Sequence, residues 1–342
     1  MKTKTVKSLM NTSKSLSRRE FILASLGTLA FGEFILKSQQ PHPSGIPRRQ
    51  LGKTGEQVSI IGIGGWDIGN VKDRNEAIAI MHEAIDEGIN FFDNCWDYHD
   101  GRSEEVMGEA LSSGGRRDKV FLMTKVCARD YKGALLQLEQ SLRRLKTDRI
   151  DLWQFHGIKW DDDPDLIFDP DNGALKAALE AKKAGKIRYI GFTGHKDPKY
   201  HLAMLNKPFE WDTVQMPLNV LDQYYASFRY NVLPECVNRK IGVIGMKALA
   251  AQNGIIVRKL GVSAELARRY ALSLPISVLV CGIQSRENLR QDIQIARNFK
   301  PLSKYELKLL ADKVSEPAKD GKLEAYKVGN YGCDWYHNQK RG

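Results

Sequence analysis

Only five cysteines occur among 342 residues, at positions 95, 127, 236, 281 and 333, and no two of them form a C-x-x-C pair. That spacing excludes a structural zinc site, a thioredoxin-like dithiol and a cysteine-ligated iron–sulfur motif. The odd number argues against a full set of paired disulfides, and a chain this long buries enough core not to need them. Nucleic-acid signals are also missing. Lys and Arg outnumber Asp and Glu by 52 to 41. Yet residues 1–45 hold seven of the basic and two of the acidic residues, leaving a mild 45 to 39 for the rest. No basic run is interleaved with aromatics, so a nucleic-acid partner is not expected. The full chain is 42% hydrophobic and 27% charged, the composition of an ordinary soluble globular protein.

The N-terminal basic residues have an order of their own. A lysine-bearing segment, Met1 to Lys14, precedes Ser17-Arg18-Arg19-Glu20-Phe21-Ile22-Leu23 and an apolar run from Phe21 to Gly32 that Glu33 stops. A bilayer-spanning helix needs about twenty apolar residues, and this run is shorter. It resembles a twin-arginine export signal, followed by a polar linker from Gln39 to Pro47. The resemblance implies that the twin-arginine export machinery delivers a folded protein to the periplasm. Membrane contact is then expected only during export or through an uncleaved leader. The alternative is a basic N-terminal helix of a cytosolic protein.

From Gln50 onward, short apolar runs alternate with helical spacing. Predicted strands are Val58–Gly62, Phe91–Asp93, Val120–Lys125, Ile150–His156, Ile187–Phe192, Thr213–Met216, Ile241–Met246 and Val278–Cys281. They are near-continuously apolar, as strands covered on both faces must be. Apolar residues three and four apart predict helices between them, as at Ala77–Ile85 and Leu135–Leu145, and Gly88 and Gly185 mark helix ends. Eight strands and eight helices predict an α/β fold, a closed (β/α)8 TIM barrel over residues 46–300. Residues 1–45 are read as signal and linker. Residues 301–342 are read as a helix (306–314) and a tail that packs on the barrel or overhangs its cleft. A doubly wound sheet would want G-x-G-x-x-G after its first strand, and Gly62-Ile63-Gly64-Gly65-Trp66-Asp67 lacks the last glycine.

Functional side chains of such barrels gather where strands end at the C-terminal rim. Polar residues there are Asp93, with Tyr98 in the following loop, Lys125 and His156. Singly, each has a plain explanation: Asp as a helix cap, Tyr and His as packing. An unpaired lysine in an apolar strand is costly and wants a partner. Together they point to acid–base chemistry, with Lys125 lowering the pKa of Tyr98 and Asp93 pairing with Lys125.

Asp93-Asn94-Cys95-Trp96-Asp97-Tyr98, with Lys125 and His156, resembles the aldo-keto reductase signature. Supporting segments are Leu51-Gly52-Lys53-Thr54-Gly55, Gly64-Gly65-Trp66, Asp148-Arg149-Ile150-Asp151-Leu152 and Ile187-Arg188-Tyr189-Ile190-Gly191-Phe192. The resemblance runs from about Arg48 to Asn298. It implies NAD(P)H-dependent reduction of a small carbonyl substrate without a metal. Asp93, Tyr98, Lys125 and His156 are then catalytic, with Tyr98 the acid, and Trp66, Tyr98 and His156 face the substrate.

By position, the resemblance places Gly65, Trp66, Asp93, Thr193, Gln215 and Met246 at the nicotinamide, and Gly282, Ser285, Arg286 and Asn288 at the adenosine phosphate. Ser285 and Arg286 favour NADPH, with NADH possible. Three departures stand out: Thr193-Gly194-His195 where the family carries Ser-Asn, Met246 where many relatives carry an aromatic, and Gly282 and Asn288 in place of basic residues. The acidic stretches Asp161-Asp162-Asp163 and Asp169-Pro170-Asp171-Asn172-Gly173 are read as a solvated loop, because the glycine falls one place early for a calcium loop. Cys95 and Cys127 are read as small buried side chains. Two other functions compete: a non-turnover nicotinamide-binding regulatory or sensor subunit, and a hydrolytic barrel, which would need two carboxylates flanking a cleft.

Overall fold

A computed structural model describes residues 39–251, 254–329 and 331–339. The twin-arginine segment lies outside the described residues. Of the expected linker, Gln40 bonds to Arg48, Ile46 is fully buried, and the Ser44 carbonyl accepts from Arg297, 2.9 Å away.

The chain first forms a hairpin of β1 (Arg48–Gln50) and β2 (Gln57–Ser59). Eight parallel strands then close a barrel in chain order: β3 (Ile61–Gly64), β4 (Phe91–Asp93), β5 (Phe121–Val126), β6 (Ile150–Phe155), β7 (Ile187–Thr193), β8 (Thr213–Pro217), β9 (Gly242–Met246) and β10 (Val278–Cys281), with β10 bonded back to β3. The expected barrel is present, with one correction. The run Val58–Gly62 is not one strand. Its first residues belong to the hairpin, and the chain turns at Ser59–Ile60 before entering the barrel. Ser59 holds that turn, its hydroxyl donating to the Ile61 carbonyl at 2.7 Å and its N–H to Asn90 Oδ1 at 2.7 Å. Hydrophobicity alone cannot separate the two pieces, because Val58, Ile60 and Ile61 are all buried.

The two-residue period of a strand decides what the barrel encloses. Leu51, Val58, Phe91, Phe121, Met123, Leu152, Ile244, Val278 and Val280 form a cluster separate from the larger core around the helices, so the hairpin plugs the barrel floor. Counting on by twos from these positions leads to Asp93, Lys125, Gln154, His156, Met246 and Gly282. The same face that is packed with apolar side chains below is therefore polar at the C-terminal mouth. Gly88 and Gly185 follow their helices with φ of +99° and +75°, left-handed conformations that favour glycine.

The tail helix spans Lys304–Ala318, longer than expected, because Ser303 and Glu306 form a capping box before its first turn. Short helices at Ala325–Val328 and Trp335–Gln339 follow. No helix of the described residues is long and apolar enough to cross a membrane.

Candidate active site

A cavity of about 940 Å³ opens at the C-terminal mouth of the barrel. Asp93 ends β4, Lys125 lies near the end of β5, and His156 follows β6. Asp93 pairs in register with Met123, so Lys125 sits one layer higher and its side chain folds back over Asp93. The Lys125 ammonium has three protons and three acceptors: an Asp93 carboxylate oxygen, the Asn94 carbonyl at 2.7 Å and the Tyr98 hydroxyl oxygen at 3.3 Å. Lys125 is 1% exposed. This pairing is what makes a lysine tolerable inside the barrel.

Tyr98 begins a 3-10 turn in which His99 and Asp100 take φ of +53° and +55°. Such backbone is unfavourable away from glycine and is held here by contacts. His99 Nε2 lies 2.8 Å from the Trp66 carbonyl, and the Trp66 ring packs tilted against His99 and edge-on against Tyr98. Because the Tyr98 oxygen accepts from Lys125, its own O–H is left to donate into the cavity.

The expected direction of the Tyr98 shift is corrected. Burial pushes its phenol well above the ordinary value of 10, and the carboxylates of Asp93, Asp97 and Asp67 add to the effect. The phenol is held protonated, the state a proton donor needs.

His156 faces a polar knot. Its Nδ1 lies 3.0 Å from Cys95 Sγ, 3.4 Å from Asp97 Oδ1 and 3.6 Å from Cys127 Sγ, and Cys95 Sγ is 2.9 Å from Asp97. Burial pulls the imidazole pKa down against the pull of Asp97, so the ring is neutral near pH 7. Cys127 forms a disulfide with Cys333 in the tail. The reading of Cys127 as a simple buried side chain is corrected: a pairing across 206 residues leaves no local spacing to read. Cys95 remains a free, buried thiol. Arg129, fully buried, holds the backbone under this knot, donating to the Cys127 carbonyl at 3.0 Å and the His156 carbonyl at 2.7 Å, with Asp163 as its ion-pair partner.

Of the residues assigned to a nucleotide, Trp66, Asp93, Thr193, Met246, Gly282 and Asn288 line the cavity, as do Tyr98, Lys125 and His156. Gly65 lies behind the wall, where a Cβ would come 2.5 Å from the Asp93 carbonyl. Gln215 is completely buried beneath the floor; its amide nitrogen donates to Asp93 at 3.2 Å, while its amide oxygen has no partner among the described residues. An orphaned buried acceptor beside Asp93 fits a carboxamide N–H.

Ser285 and Arg286 do not line the cavity. The Ser285 hydroxyl accepts from the Asn288 N–H and caps helix Arg286–Arg297, while Arg286 turns away to Glu76 and Glu83 at 3.5 and 3.8 Å. Helix geometry decides this, since the cavity-facing stripe of that helix runs through Asn288, Gln291 and Asp292. The cavity's cations besides Lys125 are Lys247, Arg258 and Arg268. Lys247 follows β9 directly, so the strand-end rule that found Asp93 and Lys125 would have found it too. Burial pulls its ammonium down to about 8. His195 also faces the cavity, and its Nδ1 has no partner among the described residues. The tail contributes Ala325, Tyr326, Tyr331 and Gly332, so it overhangs the cleft.

Comparison with known proteins bears on the fold and the family. The profile of the aldo/keto reductase family matches residues 60–259. The aldo-keto reductase YhdN of Bacillus subtilis is 33% identical over 206 residues, 56% of this chain and 58% of that protein. The chain spans between about half and two thirds of the length of the curated relatives it matches. A solved aldo/keto reductase of Klebsiella pneumoniae, in complex with NADP and acetate, is 25% identical with a TM-score of 0.63, covering 77% of this chain and 94% of that one. The holo form of an aldo-keto reductase of Bacillus halodurans shares the fold, with a TM-score of 0.64 at 24% identity over 78% of this chain and 96% of that one.

Proposed function

Because this chain belongs to the aldo/keto reductase family, we propose that it is an NADPH-dependent oxidoreductase that reduces an aldehyde or ketone, with Tyr98 as the general acid. The observation that carries this reading is the coordination of Lys125, whose three acceptors leave the Tyr98 proton facing the cavity. When bound, a dihydronicotinamide supplies hydride to the carbonyl carbon. Negative charge then grows on the carbonyl oxygen, and Tyr98 delivers the proton there. Asp93 keeps Lys125 in place, and Lys125 stabilises the phenolate as the proton leaves. His156 fixes the carbonyl from beside Tyr98, the two rings meeting edge-on with centroids 5.7 Å apart.

Gln215 and Thr193 would hold the carboxamide, with Met246 against the ring. Lys247, Arg258 and Arg268 would meet the phosphates, and their number favours NADPH over NADH. The NADP held by the Klebsiella protein supports that preference. Export to the periplasm is read from the signal and linker in residues 1–45. The Cys127–Cys333 disulfide supports it, since such bonds persist in oxidising compartments.

The test is consumption of NADPH with a panel of aldehydes, ketones and quinones, beside a mass spectrum of the natively purified protein. Turnover with bound NADP supports the proposal. Tight nucleotide binding without consumption across the panel would favour the non-turnover subunit instead.

A further inference from the structure

Three strand ends bring two sulfurs, an imidazole nitrogen and a carboxylate oxygen together beside the cavity. Cys95 Sγ, Asp97 Oδ1, Cys127 Sγ and His156 Nδ1 all lie within 4.8 Å of one another. We propose that these four residues form a redox-gated binding site for a divalent transition-metal ion of the zinc class, closed while Cys127 is bonded to Cys333 and open when that bond is reduced.

The donor set and its size carry the proposal. A tetrahedral ion with bonds of about 2.3 Å to sulfur and about 2.0–2.1 Å to nitrogen or oxygen sets its ligand atoms about 3.3–3.8 Å apart. The distances of 3.6 Å from Cys127 Sγ to His156 Nδ1 and 3.4 Å from His156 Nδ1 to Asp97 Oδ1 already match those edges. The Cys95 contacts, 3.0 Å to His156 and 2.9 Å to Asp97, are hydrogen-bond lengths and need open by only about half an ångström. Two soft thiolates, an imidazole and a carboxylate select zinc or cobalt over calcium or magnesium. Asp97 and His156 also line the cavity, which gives the ion a route in. The support beneath the ligands is in place, with Arg129 holding the carbonyls of Cys127 and His156.

Cys127 is the gate. As a disulfide its sulfur faces His156 but carries no thiolate charge. A phosphine or thiol reductant gives two electrons to the Cys127–Cys333 bond, and two protons from water complete the two thiols. The ion then displaces the protons of Cys95 and Cys127 to solvent, and two sulfur–metal bonds form with no further redox change. With Nδ1 bound to metal, the neutral His156 ring carries its proton on Nε2. Cys333 is left free, so metal binding and the covalent tether of the tail exclude each other.

Cobalt(II) is the probe, because thiolate ligation gives it a charge-transfer absorption. The full chain after oxidation is expected to take up no Co²⁺, and after treatment with a phosphine reductant one equivalent with the thiolate band. Cys333→Ser leaves Cys127 a permanent thiol and is expected to bind Co²⁺ without reductant. Cys127→Ser in the reduced chain is expected to bind more than about tenfold more weakly and with a diminished band. Folding of each variant is verified by circular dichroism. Failure of both the reduced chain and folded Cys333→Ser to take up Co²⁺ overturns the proposal. Uptake by Cys127→Ser equal to that of the reduced chain does so as well.

Discussion

The ammonium of Lys125 donates to the hydroxyl oxygen of Tyr98 across 3.3 Å, while Asp93 holds the same ammonium from below. Tyr98 is therefore a proton donor by geometry and a protonated phenol by environment. Tyr98→Phe removes only the oxygen and keeps the ring on Trp66. Carbonyl reduction should fall by about 10² to 10⁴-fold, while NADPH affinity, read by fluorescence titration, stays within about twofold. Near-full turnover in Tyr98→Phe would remove Tyr98 from the role of acid.

The legible and illegible parts of this molecule divide along one line. Asp93, Lys125 and His156 were readable because an alternating strand aims every second residue inward and the barrel ends at its mouth. Strands Phe91–Asp93 and Val278–Cys281 have the bounds their apolar runs indicate. That Arg286 faces Glu76 and Glu83 is not legible locally, because these partners lie on a helix some two hundred residues earlier. The rise in the Tyr98 pKa and the Cys127–Cys333 bond were hidden for the same reason. Each depends on side chains that only the closed barrel brings together.

Arg129 and Asp163 are both buried, and Asp163 also accepts the N–H groups of Lys159 and Trp160 at 2.9 and 3.0 Å. Burial opposes ionisation of Asp163, but the charge and hydrogen bond of Arg129 outweigh it and hold the carboxyl down to about 2. A folded pKa below the ordinary 3.8 means the stabilisation is complete above pH 4 and is lost as pH falls towards 2. Asp163→Ala should cost about 3–5 kcal/mol in urea unfolding at pH 6, because it strands a buried guanidinium. The difference from wild type should shrink by about 2 kcal/mol near pH 2. An unchanged difference across that range would contradict the assignment.

The buried Gln215 amide oxygen has no partner among the described residues and is the acceptor assigned above to the carboxamide. Gln215→Leu should weaken NADPH binding by about tenfold, the worth of one buried hydrogen bond. The rise in melting temperature that saturating NADPH produces should shrink accordingly. The readout is thermal unfolding with and without nucleotide. An identical ligand-induced shift in the variant would place the carboxamide elsewhere.

Lys247 makes nucleotide binding depend on pH. Burial brings its pKa down to about 8, with Asp67 and Asp93 opposing and Lys125 assisting. Only the protonated form attracts a phosphate, so affinity for NADPH should be greatest below pH 7 and weaken as pH rises through 8. A bound anion raises the lysine's pKa, so binding near pH 8 should take up a fraction of a proton, which calorimetry in buffers of different ionisation enthalpy detects. Lys247→Met should bind more weakly at pH 7 and lose most of this dependence between pH 7 and 9. A wild-type affinity that stays flat over the same interval would show that Lys247 does not meet the phosphates.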